Sequence, residues 1–362
     1  MNISLIPEDS LIRMKNIAGE LLNASIVSVQ RIGGGSNSQV YRLVDERGKE
    51  FAAKIYFHHP RDPRDRLGVE FSAVTFLYQQ GFLCVPRPVV MSAAERIGIY
   101  GFVDGNKISL EEVKESDVDY LIWFLAELKN IREKAGGGIF SAASEASFSL
   151  KGVVDNIQSR IDRLMVVEGE TQEYEALRRY LQQKFIPFFE ILVEWGRKKM
   201  TQTGWNFDGD IPLAERTVSP SDYGFHNALR DKQGQIIFLD FEYFGWDDPA
   251  KMISDFLLHP AMNVNHHLKK RFVRNMMKIF GEFQLLASRL NILFPFFGLK
   301  WGLIFLNEFV PDDFMRRGFA SVEEIPKERR HAEQLLKSQK MLRFIQANYQ
   351  NFPYEYESIH NE

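Results

Sequence analysis

The chain has 362 residues, with 45 Lys+Arg against 48 Asp+Glu and a formal net charge of −3. It is longer than one hydrophobic core commonly supports, so two lobes are expected. It also lacks the positive excess that a dedicated nucleic-acid binder needs to neutralise phosphates. A composition 45% hydrophobic and 26% charged excludes wholesale disorder, and a lone cysteine, Cys84, excludes an intramolecular disulfide or a thiolate-rich metal site.

The opening residues MNISLIPEDS lack the basic and then apolar pattern of a secretory signal, so a cytoplasmic protein is expected. Residues 8–22 carry apolar side chains at helical spacing and predict a leading helix. Three strand-like runs follow, SIVSVQRI, QVYRLV and EFAAKIYF, separated by GGGSNS and DERGKE. RDRLGVEFSAVTFLYQQG reads as a helix closed at Gly81, and VVMS and RIGIYGFV as a fourth and a fifth strand. Beyond Gly105 the spacing turns helical over 117–134, 153–165 and 172–199, the last broken or kinked at Pro187. Two short strands, AERTVS and QIIFLDF, precede helices that run from Pro249 to the end. The lobes are therefore expected to be 1–104 and 105–362. Residues 291–310 are apolar for nearly a membrane span, but Lys300 at their centre is costly in hydrocarbon, so a buried helix or helix pair and no membrane contact are expected.

Three groups of residues point to chemistry. Gly33-Gly34-Gly35-Ser36-Asn37-Ser38 lies between two predicted strands, where a dinucleotide fold would need a helix. Glycines let a backbone approach phosphates closely, and Ser36 and Ser38 add hydroxyl donors, as in the phosphate flap of a kinase; read alone, the segment equally fits a glycine-rich hairpin turn. Lys54 sits among apolar residues on the third strand, where an ammonium is costly unless paired. Glu70 on the following helix is the natural partner, an arrangement that presents a lysine to nucleotide phosphates; the alternative is two exposed charges on unrelated faces. Finally, Asp222 and Asn227 form Asp-x4-Asn, and Asp240 is expected to end the strand IIFLD. Phosphoryl transfer needs a base for the acceptor hydroxyl, a role that suits Asp222, and oxygen ligands for Mg²⁺, a role that suits Asn227 and Asp240. Taken singly, Asp222 also reads as a turn residue.

The stretches GGGSNSQVYRL, AAKIY, VPRPV, SDYGFHNALRD and FLDFEYFGWDDPAKMISDFL resemble the aminoglycoside phosphotransferase and choline kinase family, over about residues 25–258. The resemblance implies an α+β, protein-kinase-like fold. Its small N-terminal lobe would have a five-stranded antiparallel sheet and one helix, and its large C-terminal lobe would be mainly helical. It further implies a small-molecule phosphotransferase that uses Mg²⁺ and ATP or GTP. Gly33, Gly35, Ser36, Ser38, Lys54 and Glu70 would serve the nucleotide, with its base near the connection Tyr100–Asp104 and hence Phe102. The partners expected are a nucleotide and a compact hydroxyl-bearing molecule. Acids and aromatics at Trp205, Asp208, Asp210, Tyr243, Trp246, Asp247, Asp248, Trp301 and Glu308 suggest a cationic or polyhydroxylated acceptor; equally, Trp301 reads as core, Asp247 and Asp248 as a helix N-cap before Pro249, and Asp208–Asp210 as a solvated loop. One departure matters: Pro220 stands where the family commonly has a histidine two residues before its catalytic aspartate. That leaves a second expectation, a non-catalytic nucleotide-binding scaffold.

Overall fold

A computed structural model of the protein describes residues 8–33, 37–59, 62, 64–135, 138, 140–283, 285–320 and 326–354. The chain divides into two compact units, one formed by Met1–Ile108, Asn227–Phe244 and Met315–Glu324, the other by Ser109–His226, Gly245–Phe314 and Ile325–Glu362.

The first unit is built on α1 (Glu8–Leu22), β1 (Ile26–Gly33), β2 (Ser38–Asp45), β3 (Glu50–Tyr56), α2 (Arg66–Gln79), β4 (Pro88–Ser92) and β5 (Ile97–Gly101). The strands form one antiparallel sheet in the order β1-β2-β3-β5-β4. Alternation along each strand puts Tyr41 and Leu43, Phe51 and Ala53, and Ile97 and Ile99 into one core, which Met14 and Ala18 of α1 join. Helix α2 starts where the Asp65 carboxylate accepts from the Gly68 amide at 2.9 Å, and stops before Gly81, whose φ of +90° a side chain would oppose. Residues Gly105–Lys107, expected to begin the helical region, instead form a short strand beside Ala228–Asp231, which pairs in turn with Ile236–Phe238. Gly-Asn-Lys carries no strand pattern of its own; a partner distant in sequence supplies the order.

The second unit is helical. Its helices include Glu115–Ile131, Leu150–Met165, Gln172–Tyr180, Ile186–Thr203, Pro249–Leu258, His266–Ile279, Leu286–Phe305 and Lys327–Asn348. Gln172–Thr203 is one helical path with a π-turn at Leu181–Phe185, closed by the Ile186 amide on the Leu181 carbonyl. The irregularity precedes Pro187 by a turn because the proline ring would clash with the carbonyl four residues earlier, and the wider turn moves that carbonyl aside. The apolar stretch Leu286–Phe309 is long enough to cross a membrane, yet 83% of its apolar window is buried inside the fold. Its charge is also accounted for: Lys300 Nζ donates to the Glu145 carbonyl at 3.0 Å and pairs with the Glu145 carboxylate at 2.9 Å.

This helix packs tightly against Gly196, where an added Cβ would stand 2.8 Å from the Phe296 ring. Phe296 is fully buried. Phe296→Ala should cost about 3–5 kcal/mol in chemical denaturation, the usual loss for a phenylalanine removed from a close-packed core. A loss below about 1 kcal/mol would mean that the helix is not the core of this unit.

Candidate active site

Lys54 lies in the middle of β3, paired with Val40 on one side and Gly98 on the other. Its ammonium donates to Glu70 of α2 and to Asp240, both at 2.6 Å. Lysine and glutamate are each under 10% exposed. Burial opposes the charge on Lys54, but Asp240, Glu70 and Glu242 outweigh it and hold the lysine well above its ordinary pKa. The predicted Lys54–Glu70 pairing is therefore present, and the alternative of two exposed charges is not.

The segment that brings Asp240 to Lys54 is a hairpin of the first unit. The Leu239 amide donates to the Asn227 carbonyl at 2.8 Å, so Asn227 and Asp240 stand at the same end of it. Asp240 was expected to end the strand, but the strand stops at Phe238, and Asp240 has a φ of +64°. A non-glycine residue rarely adopts that conformation without compensation, and here the bond to Lys54 supplies it. Phe241 is buried behind it, while Glu242 is buried with its Oε1 bonded to Asn37, whose amide also donates to the Tyr243 hydroxyl at 2.7 Å. Glu70, Asp240 and Glu242 each place an oxygen within 4.8 Å of the others. Burial, with the nearby Asp240 charge, pushes Glu242 up to about 7, and burial raises Glu70 against the pull of Lys54. Oε2 of Glu242 is buried without a hydrogen-bond partner among the described residues.

Of the glycine-rich segment, Gly35 and Ser36 lie outside the described residues. Gly33 ends β1 with open space where a side chain would be, and Ser38 begins β2, buried beside Asn37. Phe102 lies on the connection after β5, with its amide on the Glu50 carbonyl and Arg42 over its ring at 5.0 Å. A cavity of about 480 Å³ opens there, lined by Leu83, Val85, Arg87, Phe102, Asp104 and Ile237. That volume falls within the usual range for small-ligand sites.

Asp222 belongs to the second unit. Its amide donates to the Pro220 carbonyl at 2.8 Å, a tight turn reached through Ser221 at a φ of +65°. Its carboxylate Oδ1 lies 3.0 Å from His226 Nε2 and 3.5 Å from His259 Nε2. The two imidazoles are stacked, with centroids 4.0 Å apart, and the Ala261 amide donates to His259 Nδ1 at 3.1 Å. That bond leaves the proton of neutral His259 on Nε2, facing Asp222. His226 lies within the Asp-x4-Asn stretch, whereas His259 follows no motif and was missed in the sequence.

The expected acceptor acids are partly corrected. Asp247 and Asp248 have no exposed surface. Asp247 is paired with Lys251 at 2.9 Å, and Asp248 caps Pro249–Leu258 through the Ala250 amide at 2.8 Å and binds Arg289. Carboxylates locked in this way hold the fold and cannot meet an acceptor. Glu308 is buried as well, whereas Trp205 and Asp210 line a cavity of about 230 Å³ with Arg289. Trp301 is half-buried, donating to Asp255 at 2.9 Å.

No protein-family model matches the sequence, and no curated protein matches it. Solved structures do. The spectinomycin phosphotransferase APH(9)-Ia, in complex with ADP and spectinomycin, aligns at a TM-score of 0.58 and 12% identity over 91% of this chain and 98% of that one. The choline kinase LicA from Streptococcus pneumoniae aligns at 0.55 and 13% identity, over 92% of this chain and 99% of that one. A gentamicin complex of APH(2")-IIa aligns at 0.58 and 16% identity, over 97% of this chain and 100% of that one. The fold is thus the α+β, protein-kinase-like fold of these phosphotransferases.

His259 provides a pH test. Burial, against the nearby Asp222 charge, lowers it to about 4 from the usual 6.5. Between those values the unfolded chain binds the proton and the folded one does not, so folding stability is lost as pH falls from about 6.5 towards 4. The loss should reach about 2–3 kcal/mol, and His259→Gln should flatten the pH dependence over that window. Parallel stability profiles for the two proteins would remove the buried neutral imidazole.

Proposed function

We propose that the protein is a magnesium-dependent phosphotransferase that moves the γ-phosphate of ATP or GTP to a hydroxyl of a compact small molecule. The observation that carries this reading is Lys54, buried on its strand and bound at once to Glu70 and Asp240, within a fold whose relatives hold ADP and phosphorylate small hydroxyl compounds. Glu70 fixes the ammonium, which would meet the α- and β-phosphates of the donor. The cavity at Phe102 suits the base.

The residues at hand fit a divalent cation. Three carboxylates cluster there, two of them on Lys54; Arg66 is 3.9 Å from the third, Glu242, and one Glu242 oxygen is buried without a hydrogen-bond partner among the described residues. Asp240 and Asn227 would hold the ion, a hard oxygen set suited to magnesium. When bound, it would neutralise charge on the phosphates. Asp222 would orient the acceptor hydroxyl and take its proton as the new P–O bond forms and the bond to the β-phosphate oxygen breaks. With Asp247 and Asp248 committed to the fold, what remains near Asp222 in its own unit is mainly aromatic, His226, His259 and Trp301. Such faces suit a cationic or polyhydroxylated acceptor, in keeping with the spectinomycin and choline named for the neighbouring structures. Dependence on such a donor fits a cytoplasmic protein. Pro220 favours a second reading, a nucleotide-binding protein without turnover.

An ADP-release screen over amino-alcohols, aminoglycosides, sugars and nucleosides separates the two. Turnover with a cationic or polyhydroxylated acceptor supports the enzyme; thermal stabilisation by nucleotide without turnover on any acceptor supports the binding protein. Asp222→Asn should lower turnover by about 10²-fold or more while nucleotide affinity stays nearly unchanged. Asp240→Ala should abolish the magnesium dependence of nucleotide binding, and Asn227→Ala should weaken it. Equal binding with chelator present would dismiss the metal assignment.

A further inference from the structure

Lys251 is an ammonium that the proposed chemistry does not use, and it is 1% exposed on the helix Pro249–Leu258. Burying it is costly unless every donor is satisfied. Its Nζ donates to Asp247 at 2.9 Å and to Ser221 Oγ at 3.0 Å, and pairs with Asp255 at 2.9 Å. Three donors meet three oxygens, and the three partners are unequal. Asp247 and Asp255 neutralise the charge on the lysine's own helix or next to it. Ser221 lies elsewhere in the chain, directly before Asp222, and has the left-handed φ of +65°. A serine is not at ease there, and its amide is held as well, by Ser219 Oγ at 2.8 Å.

A second arm leaves the same lysine. Asp255 accepts from Trp301 Nε1 at 2.9 Å. The Trp301 ring meets His259 edge to face, with centroids 4.6 Å apart at 87°. His259 stacks on His226, and both imidazoles turn an Nε2 to the same oxygen of Asp222. One arm therefore sets the main chain of Asp222 and the other its side chain. Both begin at Lys251, inside one unit.

We infer that Lys251, Ser221 and Trp301 are positioning residues for Asp222, taking the place of the histidine that Pro220 displaces. A base displaced by a fraction of an ångström forfeits much of its effect, whereas phosphate binding at Lys54 does not depend on it. The inference rests on Asp222 being the base, and its test separates the two claims. Lys251→Met strands two buried carboxylates and is expected to fold poorly, so the informative changes are milder. Ser221→Ala removes one hydroxyl, and Trp301→Phe keeps a ring under His259 while dropping the bond to Asp255.

The experiment measures kcat and nucleotide KM with magnesium-ATP and the acceptor preferred in the screen, for each variant alone and combined with Asp222→Asn. Each single variant should lower kcat about 10-fold or more with nucleotide KM changed less than about twofold. Neither should lower the residual rate of Asp222→Asn further. Wild-type kcat in the single variants, a change confined to KM, or the same fold loss in the Asp222→Asn background would each overturn the positioning role while leaving the base in place. Wild-type turnover in Asp222→Asn itself would instead remove the base, and the positioning role with it.

Discussion

An ammonium in the middle of an apolar strand persists only where counter-charges reach it, and much of the first unit is arranged to supply them to Lys54. The sheet puts the lysine on β3, α2 brings Glu70, and the hairpin that returns from the far part of the chain brings Asp240. Asp240 meets it by adopting a backbone conformation that few aspartates take, and Asn37 ties the same segment to the end of the glycine-rich loop through Glu242. Removing one partner would leave a buried charge uncompensated, commonly a loss of about 3–5 kcal/mol. Three carboxylates around one lysine hold more negative charge than the lysine offsets. Burial first, and that surplus after it, push Glu242 up to about 7, and the surplus is why a divalent cation suits the cluster.

The second unit solves the same problem at Lys251 with a different result. There Asp247 and Asp255 offset the lysine, and its remaining donor goes to Ser221. The first lysine is one component of a charged cluster suited to phosphates and a cation. The second is fully satisfied from within the protein and suited to holding a turn. Identical functional groups thus read differently once their partners are counted, and the number of oxygens around each ammonium decides the reading.

Much of this was legible in the sequence where the signal is local. Alternating runs marked the five strands, helical spacing marked α1 and α2, and a lysine among apolar residues called for Glu70. The membrane-length stretch read as a buried helix because Lys300 stood at its centre, and Glu145 is what pays for that charge. What failed to show in the sequence depends on pairing over distance. Gly105–Lys107 becomes a strand only because Ala228–Asp231 lies beside it. Asp247 and Asp248 read equally as acids available to a ligand and as a cap before Pro249, and only their buried partners Lys251 and Arg289 decide for the fold. His259 belongs to no motif, and only the fold carries it to Asp222. The backbone turn at Asp240 was equally hidden, since sequence periodicity does not report where a strand ends within two residues.

The most direct test of the account is to follow the label from γ-³²P-ATP, with magnesium, into a pool of small hydroxyl compounds, with wild type beside Lys54→Met. The account predicts that label moves to a small molecule with the wild type and that transfer is lost with the variant. Label that stays on ATP while the nucleotide binds, or equal transfer by the two proteins, would contradict it.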